Sequence, residues 1–135
     1  ISASDVVKAS DEDVEWLYGH DSLEETLAYW ASLGAILGVV TRGGEGAVVH
    51  IGGQTHRVAL PAVEVEDTVG AGDSFMSGLL SGLLDAELLG GVEARERLVA
   101  ADFPTIEPAV ARALACAAIT VSRAGANPPR RDELA

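Results

Sequence analysis

Residues 67–75 read Asp-Thr-Val-Gly-Ala-Gly-Asp-Ser-Phe and form the most informative part of the chain. They follow a segment in which Val63 and Val65 alternate with acidic residues, which predicts a half-exposed strand. They lead into an apolar pattern that predicts a helix over 73–84. Small residues directly before a helix let the backbone turn tightly and point several N–H groups at one place. The helix dipole adds positive charge there, so the stretch predicts an anion-binding turn.

Asp73 is unexpected at such a turn, because a carboxylate repels a neighbouring anion. In one interpretation Asp73 caps the helix, which is the common role of Asp near a helix start. In the other, it accepts the proton of a hydroxyl group that attacks a phosphoryl group held by the turn. The residue pattern alone leaves both interpretations open.

The segments around this turn predict an α/β arrangement. Helices are predicted to begin after Ser10 and after Ser22, each a favourable N-cap. The other predicted elements are strands over 5–8, 35–41, 46–51 and 54–60 and helices over 92–101 and 107–122. Gly52-Gly53 between two strands indicates a hairpin, and the helix before 35–41 indicates a parallel pair. We therefore expect a mostly parallel sheet with an antiparallel edge hairpin, and a surface tail over 127–135.

Composition and charge exclude several classes of protein. The chain of 135 residues has 9 basic and 21 acidic residues, a net charge of −12, so binding to nucleic acid or an anionic membrane is not expected. The longest apolar stretch, 75–84, is about half as long as a membrane span. The single cysteine, Cys116, favours a reducing compartment, the cytoplasm, and a small buried side chain.

Several other residues favour structural roles. The spacing of His20, His50 and His56 does not suit a metal site, and the latter two are predicted to be exposed strand histidines. Trp16 and Trp30 occupy apolar helical positions and are predicted to lie in the core. The two glycines of the 75–84 helix, at 78 and 82, are predicted to allow close packing against the sheet.

Four segments together resemble the pfkB/ribokinase family of carbohydrate kinases. Residues 67–73 are similar to its Asp-Thr-x-Gly-Ala-Gly-Asp motif, and residues 41–46 to its Thr-x-Gly-x-x-Gly nucleotide segment. Residues 7–13 resemble its central Asn-x-x-Glu segment and residues 122–126 the end of its closing helix. Within the family, the sequences of residues 7–18 and 122–129 most resemble those of bacterial fructokinases. The resemblance implies the C-terminal, nucleotide-binding part of a ribokinase-like three-layer α/β/α fold, over 1–135.

The resemblance also implies roles for individual residues. Asp73 would be the catalytic base, and the anion hole would consist of the amides of Gly70, Ala71, Gly72 and Asp73. The implied ATP-binding residues are Thr41, Arg42, Gly43, Gly44, Gly46, Ser10, Leu114 and Ala117. Asp13 would act on Mg²⁺ through water, and the implied monovalent-cation site comprises Asp67, Val69, Thr120, Arg123 and Gly125.

Four of these positions depart from the family pattern or allow a second interpretation. Ser10 and Asp13 stand where relatives often have Asn and Glu, and Leu114 where many have a polar residue. Arg42 could bind a phosphate in bidentate fashion or be a solvated loop side chain.

The implied activity is ATP-dependent phosphorylation of a sugar hydroxymethyl group, with ATP, Mg²⁺ and a monovalent cation such as K⁺ as cofactors. The partners would be small molecules, a sugar and ATP. The alternative is a non-catalytic nucleotide-binding or structural module built on the same half-fold. Because the family's N-terminal half is not represented, apolar surface would be left open, and we expect homo-oligomers.

Overall fold

A four-stranded sheet lies at the centre of the structure, a computed structural model that describes residues 1–19 and 22–134. Its strands are adjacent in chain order: β1 (Val6–Ser10), β2 (Leu37–Thr41), β3 (Ala47–Ile51) and β4 (Gln54–Val58). The helices are α1 (Asp11–Tyr18), α2 (Leu23–Ser32), α3 (Ala71–Asp85), α4 (Val92–Val99) and α5 (Phe103–Val121). Short 3-10 helices cover Gly43–Glu45 and Arg131–Leu134. The predicted α/β class is confirmed.

The pairing within the sheet differs in one respect from the prediction. β1 and β2 are parallel, as expected, whereas β2–β3 and β3–β4 are antiparallel. Among the described residues the sheet is therefore mixed and not mostly parallel. The reason lies in the connections: residues 42–46 and the turn at Gly52-Gly53 are much shorter than the dozen or so residues that a parallel crossover needs. The predicted hairpin is present, and both turn glycines have positive φ, 59° and 76°.

Helices cover both faces of the sheet and give three layers. Side chains alternate along a strand, so neighbouring residues of β2 contribute to different cores. Val39 packs with α3 and α5 in one buried cluster, which includes Phe75 and Leu79. Val40 packs on the opposite face in a second cluster with Leu27 and Trp30. The predicted core position of Trp30 is confirmed.

The predicted core position of Trp16 is wrong, because this side chain is 84% exposed. Val14 is the buried residue of α1, and Tyr18, one turn later, is half-buried against the same cluster. Trp16 lies midway between them in sequence and so projects from the opposite side of the helix.

The two histidines of the hairpin are not the exposed pair that was predicted. His50 is buried, and its Nδ1 lies 2.8 Å from Thr55 Oγ1. Burial lowers the pKa of His50. His56 pairs in register with Val49, so it lies on the other face of the sheet, half-buried and stacked on Phe103. The difference arises because helices cover both faces of the hairpin. His20 lies outside the described residues.

Several predicted boundaries need correction. No strand forms over 63–65, because the amides of Glu66 and Asp67 donate to the Val121 carbonyl and tie this segment to α5. α3 begins two residues and α5 four residues earlier than predicted. The start of α5 is set by Asp102, whose side chain accepts a hydrogen bond from the amide of Thr105.

The close packing of the two glycines of α3 is directed at a helix and not at the sheet. A β-carbon on Gly82 would lie 2.5 Å from Ala109 Cα, and one on Gly78 would lie 2.8 Å from Ala113 Cα. Both partners belong to α5, and Cys116 is buried in the same interface, as predicted. α5 is the one described helix long and apolar enough to cross a membrane on length and composition, but one of its faces is buried here in the protein core.

Candidate active site

The turn before α3 presents unpaired backbone amides. Gly70 is the N-cap of α3 and has a left-handed conformation with φ of 79°. The amides of Gly70, Gly72 and Asp73 donate no hydrogen bond to any described residue. The Ala71 amide, which the sequence placed in the same set, donates to the Thr68 carbonyl at 3.3 Å. Three of the four predicted amides are therefore free to bind an anion at the positive end of a helix of 15 residues.

Asp73 does not cap this helix. It is the third residue of α3, its side chain is exposed, and it forms no hydrogen bond or ion pair with the described residues. The cap position belongs to Gly70, which has no side chain to accept a hydrogen bond. The capping interpretation of Asp73 is therefore wrong, and its carboxylate stands free beside the unpaired amides.

A buried hydrogen-bond network holds the start of α3 against α5. The Thr120 hydroxyl lies 2.7 Å from Ser74 Oγ and 2.8 Å from the Cys116 carbonyl oxygen. Ser74 also donates to that carbonyl at 3.1 Å. Since Ser74 follows Asp73 directly, this network fixes the position of the turn relative to α5. Ser74 was not among the predicted site residues, although a serine inside an apolar helical pattern is a recognisable sign of such a bond.

A cavity of about 360 Å³ lies beside the turn. Its lining includes six predicted nucleotide residues, namely Thr41, Gly43, Gly44, Gly46, Leu114 and Ala117, and two residues of the turn, Ala71 and Gly72. Ser10 and Arg42 are not part of the lining. The rest is largely apolar: Leu60, Pro61, Ala62, Val63, Val65, Thr68, Phe75 and Val121. The cavity therefore has a polar end at the turn and an apolar wall elsewhere.

The segment 60–65 forms part of this wall, although its residues were not among the predicted site residues. It was predicted to end one strand and form another, whereas it is a loop along the cavity. Pro61 was the available signal, because proline cannot donate to a strand ladder and so marks the end of β4.

The loop after β2 approaches the backbone of β4 closely. Gly46 has φ of 93°, and a β-carbon there would lie 2.0 Å from the Val58 carbonyl oxygen. Only glycine fits at this position. Arg42 forms an ion pair with Glu45 inside the same loop, so its guanidinium is held by the protein itself.

Ser10 and Asp13 form a capping box at the start of α1. Ser10 Oγ accepts from the Asp13 amide at 3.0 Å, and the Ser10 amide donates to Asp13 Oδ2 at 3.2 Å. The hydrogen bonds with Ser10, together with the charge of Lys8, lower the pKa of Asp13. Ser10 is also the register partner of Thr41, so both lie at the carboxyl ends of parallel strands, where α/β folds bind ligands.

Asp67 joins the two loops that were predicted to form a monovalent-cation site. Its carboxylate accepts from the amides of Val69 at 2.9 Å and Gly125 at 3.0 Å. These bonds lower the pKa of Asp67 and keep the carboxylate charged. The Thr120 carbonyl accepts from the Arg123 amide in the adjacent turn. Asp67 and Val69 therefore lie in a loop that contacts the C-terminal end of α5 and the turn after it, where Thr120, Arg123 and Gly125 lie. The anionic oxygens of Asp67 suit a hard cation.

No cluster of three or more His, Cys, Asp or Glu side chains suited to a metal ion occurs in the described part of the chain. A divalent ion held wholly by protein side chains does not fit these residues. Mg²⁺ held by the phosphates of a nucleotide together with one carboxylate does fit, because this ion commonly binds with few protein ligands.

Comparison with known proteins assigns the chain to a family. The profile of the pfkB family of carbohydrate kinases matches residues 1–133. The chain belongs to the pfkB family. The predicted resemblance is thereby confirmed, and the ribokinase-like fold with it.

Individual relatives of this pfkB chain include an ATP-dependent 6-phosphofructokinase of Thermoanaerobacterium thermosaccharolyticum, 44% identical over 62% of the chain. A fructokinase of Rhizobium leguminosarum bv. trifolii is 46% identical over 64% of the chain. The matched part is 26% of each relative. A double-mutant fructokinase of Vibrio cholerae O395, crystallised with fructose, ADP and potassium, superposes with a TM-score of 0.74 at 36% identity. That match covers 96% of the chain and 39% of the Vibrio protein. The chain therefore spans well under half the length of these relatives.

Proposed function

We propose that this chain is the nucleotide-binding and catalytic-base part of an ATP-dependent kinase that phosphorylates a hydroxymethyl group of a sugar. One observation carries the proposal: the carboxylate of Asp73 stands without a partner next to the unpaired amides of Gly70 and Gly72. A general base for a hydroxyl group must be free and close to the phosphoryl group that the hydroxyl attacks.

The two ends of the cavity suit the two ends of ATP. The phosphates would lie at the turn, where free amides and the helix dipole offset their charge. The base would lie against the apolar wall, near Leu114 and Ala117. A volume of about 360 Å³ falls within the range of small-molecule sites.

The proposed reaction uses the position of the Asp73 carboxylate and the positive charge of the amides in the turn. The sugar hydroxyl oxygen forms a bond to the terminal phosphorus, the bond from that phosphorus to the bridging oxygen breaks, and ADP leaves. The hydroxyl proton passes to the carboxylate of Asp73. The amides of the turn stabilise the negative charge on the transferred group, which in such reactions supplies much of the catalysis.

The cations have assigned positions in this proposal. Mg²⁺ bound to the phosphates would neutralise their charge, and Asp13 is the carboxylate that would reach it through water. The capping bond uses Oδ2 of Asp13 and leaves Oδ1 available. A potassium ion would bind beside Asp67, with carbonyls of Val69, Thr120, Arg123 and Gly125 as further oxygen ligands. Such an ion would stabilise the loop that leads into the anion-binding turn.

The names of the relatives favour fructose as the sugar substrate of this chain. One similar protein is named a fructokinase, and the Vibrio fructokinase was crystallised with fructose. A 6-phosphofructokinase is a relative of similar identity, so a phosphorylated fructose is the competing substrate. We also propose a reducing, cytoplasmic location, which the buried free thiol of Cys116 supports.

A non-catalytic nucleotide-binding module is the second candidate. The observation that favours it is the lining of the cavity, which includes six predicted nucleotide residues but not Asp73. In this candidate the cavity binds ATP, but no sugar is phosphorylated.

The experiment that separates the two combines ATP titration with a coupled assay of ADP release over a panel of hexoses and hexose phosphates. We expect Asp73→Asn to lower sugar-dependent ADP release by about 10²- to 10⁴-fold while ATP affinity stays within a few-fold of the wild type. Asp132 carries an exposed carboxylate with no partner among the described residues, so Asp132→Asn is the matched control. This variant should change neither sugar-dependent ADP release nor ATP affinity.

Two outcomes would change the conclusion. Loss of ATP affinity with turnover intact would contradict the role of Asp73. ATP binding without sugar-dependent ADP release, in the wild-type chain, would select the non-catalytic module.

A further inference from the structure

Lys8 is the only lysine of the chain and is the third of the five residues of β1. Strand alternation places Val6 and Lys8 on one face of the sheet and Val7 and Ala9 on the other. The packing agrees, because Val6 contacts the cluster formed with α3 and α5, whereas Val7 and Ala9 contact the opposite cluster. The side chain of Lys8 therefore projects into the layer that contains the anion-binding turn.

The ammonium group of Lys8 reaches that turn. A β-carbon built on Gly72 would lie 3.0 Å from Lys8 Nζ. Gly72 is one of the residues with a free amide, and 64 residues of sequence separate it from Lys8. The absence of a side chain at Gly72 is what leaves room for the ammonium group beside the turn.

Lys8 has no ion pair or hydrogen-bond partner for its ammonium group among residues 1–19 and 22–134. The arginines near the cavity differ in this respect, because Arg42 is paired with Glu45 and Arg123 with Glu133. Asp13 is within electrostatic range of Lys8, but one of its oxygens is occupied by the cap of α1. In a chain of net charge −12, an unpaired and half-buried lysine beside free amides is poised for an anionic ligand.

We propose that Lys8 binds the terminal phosphate of the nucleotide and stabilises its charge during transfer. This inference rests on the proposed function, which supplies the nucleotide, and adds a residue to it. Lys8 Nζ would donate to a terminal phosphate oxygen from the β1 side while the amides of Gly70 and Gly72 donate from the turn. A charged hydrogen bond of this kind is stronger than a neutral one, and a flexible ammonium can follow the phosphoryl group as it moves.

The test compares ATP, ADP and AMP as ligands of the 135-residue chain. We expect Lys8→Met to raise the dissociation constant of ATP by about tenfold or more. AMP, which shares the base and ribose but lacks the terminal phosphate, should change by less than about twofold. Lys8→Arg, which keeps the charge, should retain most of the preference for ATP over AMP. Gly72→Ala places a methyl group against the ammonium and should also reduce that preference.

The comparison distinguishes failure of this inference from failure of the proposed function. If the wild-type chain binds none of the three nucleotides, the proposed function is wrong and the role of Lys8 is wrong with it. If the wild type binds ATP but Lys8→Met keeps the same ratio of ATP to AMP affinity, only the role of Lys8 is overturned. Equal weakening of all three nucleotides would indicate a structural role and would also overturn it. The ratio is measured within one folded variant, with circular dichroism as the check, so a loss of stability cannot imitate the expected result.

Discussion

The carboxylate of Asp67 accepts a hydrogen bond from the amide of Gly125, 3.0 Å away and 58 residues later in the chain. Its other oxygen accepts from Val69, so one side chain connects the segment before the anion-binding turn with the segment after α5. The position of the turn thus depends on a hydrogen bond between two segments that are distant in the chain.

Asp67→Asn is predicted to weaken this connection. The amide nitrogen of asparagine can only donate, so one of the two backbone N–H groups loses its acceptor. We expect a thermal midpoint lower by a few degrees at neutral pH, together with weaker ATP binding. Calorimetry and ATP titration measure the two effects, and Asp132→Asn is the control.

The effect of Asp67→Asn should depend on pH. The folded state holds the pKa of Asp67 below its ordinary value of 3.8. The contribution of the carboxylate to stability is therefore complete at neutral pH and is lost as the pH falls below that value. The difference in midpoint between wild type and variant should narrow in acid, and a constant difference down to pH 2 would contradict the assignment.

Gly46→Ala is predicted to destabilise the protein by about 1–3 kcal/mol, because it combines a positive φ with a clash against the Val58 carbonyl. Gly44→Ala is a matched control in the same loop, since a β-carbon there meets nothing within 4 Å. Urea unfolding of both variants measures the free energies. Equal stability of the two variants would show that the approach of the loop to β4 is not as tight as described.

Gly82→Ala is predicted to push α3 away from α5 and to cost about 1–3 kcal/mol of unfolding free energy. The added methyl group would lie 2.6 Å from Ala109 Cβ. Ser77→Ala, at an exposed position of the same helix, tests helix propensity without the clash and should be neutral or slightly stabilising. A stabilised Gly82→Ala variant would contradict the packing.

The isolated chain is predicted to associate with a second copy of itself. In the described chain β1 pairs only with β2, so one edge of this strand lacks a partner, and Trp16 on the following helix is 84% exposed. Unpaired strand edges favour pairing with another chain. Light scattering over a range of concentrations should give a dimer or a larger species, and a monomer throughout would contradict the prediction.

The local features were predictable because they depend on residues a few positions apart. The capping boxes that begin at Ser10 and Ser22 and the hairpin at Gly52-Gly53 follow from short-range hydrogen bonding and positive φ values. The strand predicted over 63–65 does not form, because strand formation also depends on residues far away in the chain. Alternation is a local signal, but a strand also needs a neighbouring strand, and this segment is tied to Val121 instead.

The sequence by itself determined the α/β class, the glycine-rich turn before α3 and the presence of Asp73 within it. Only the tertiary structure decided that Asp73 is free, that His50 is buried and that the ammonium of Lys8 reaches Gly72. A residue type and its near neighbours specify what a turn or a cap can do. Which side chains meet depends on how the sheet and its helices cover one another, and that is settled by packing between segments distant in the chain.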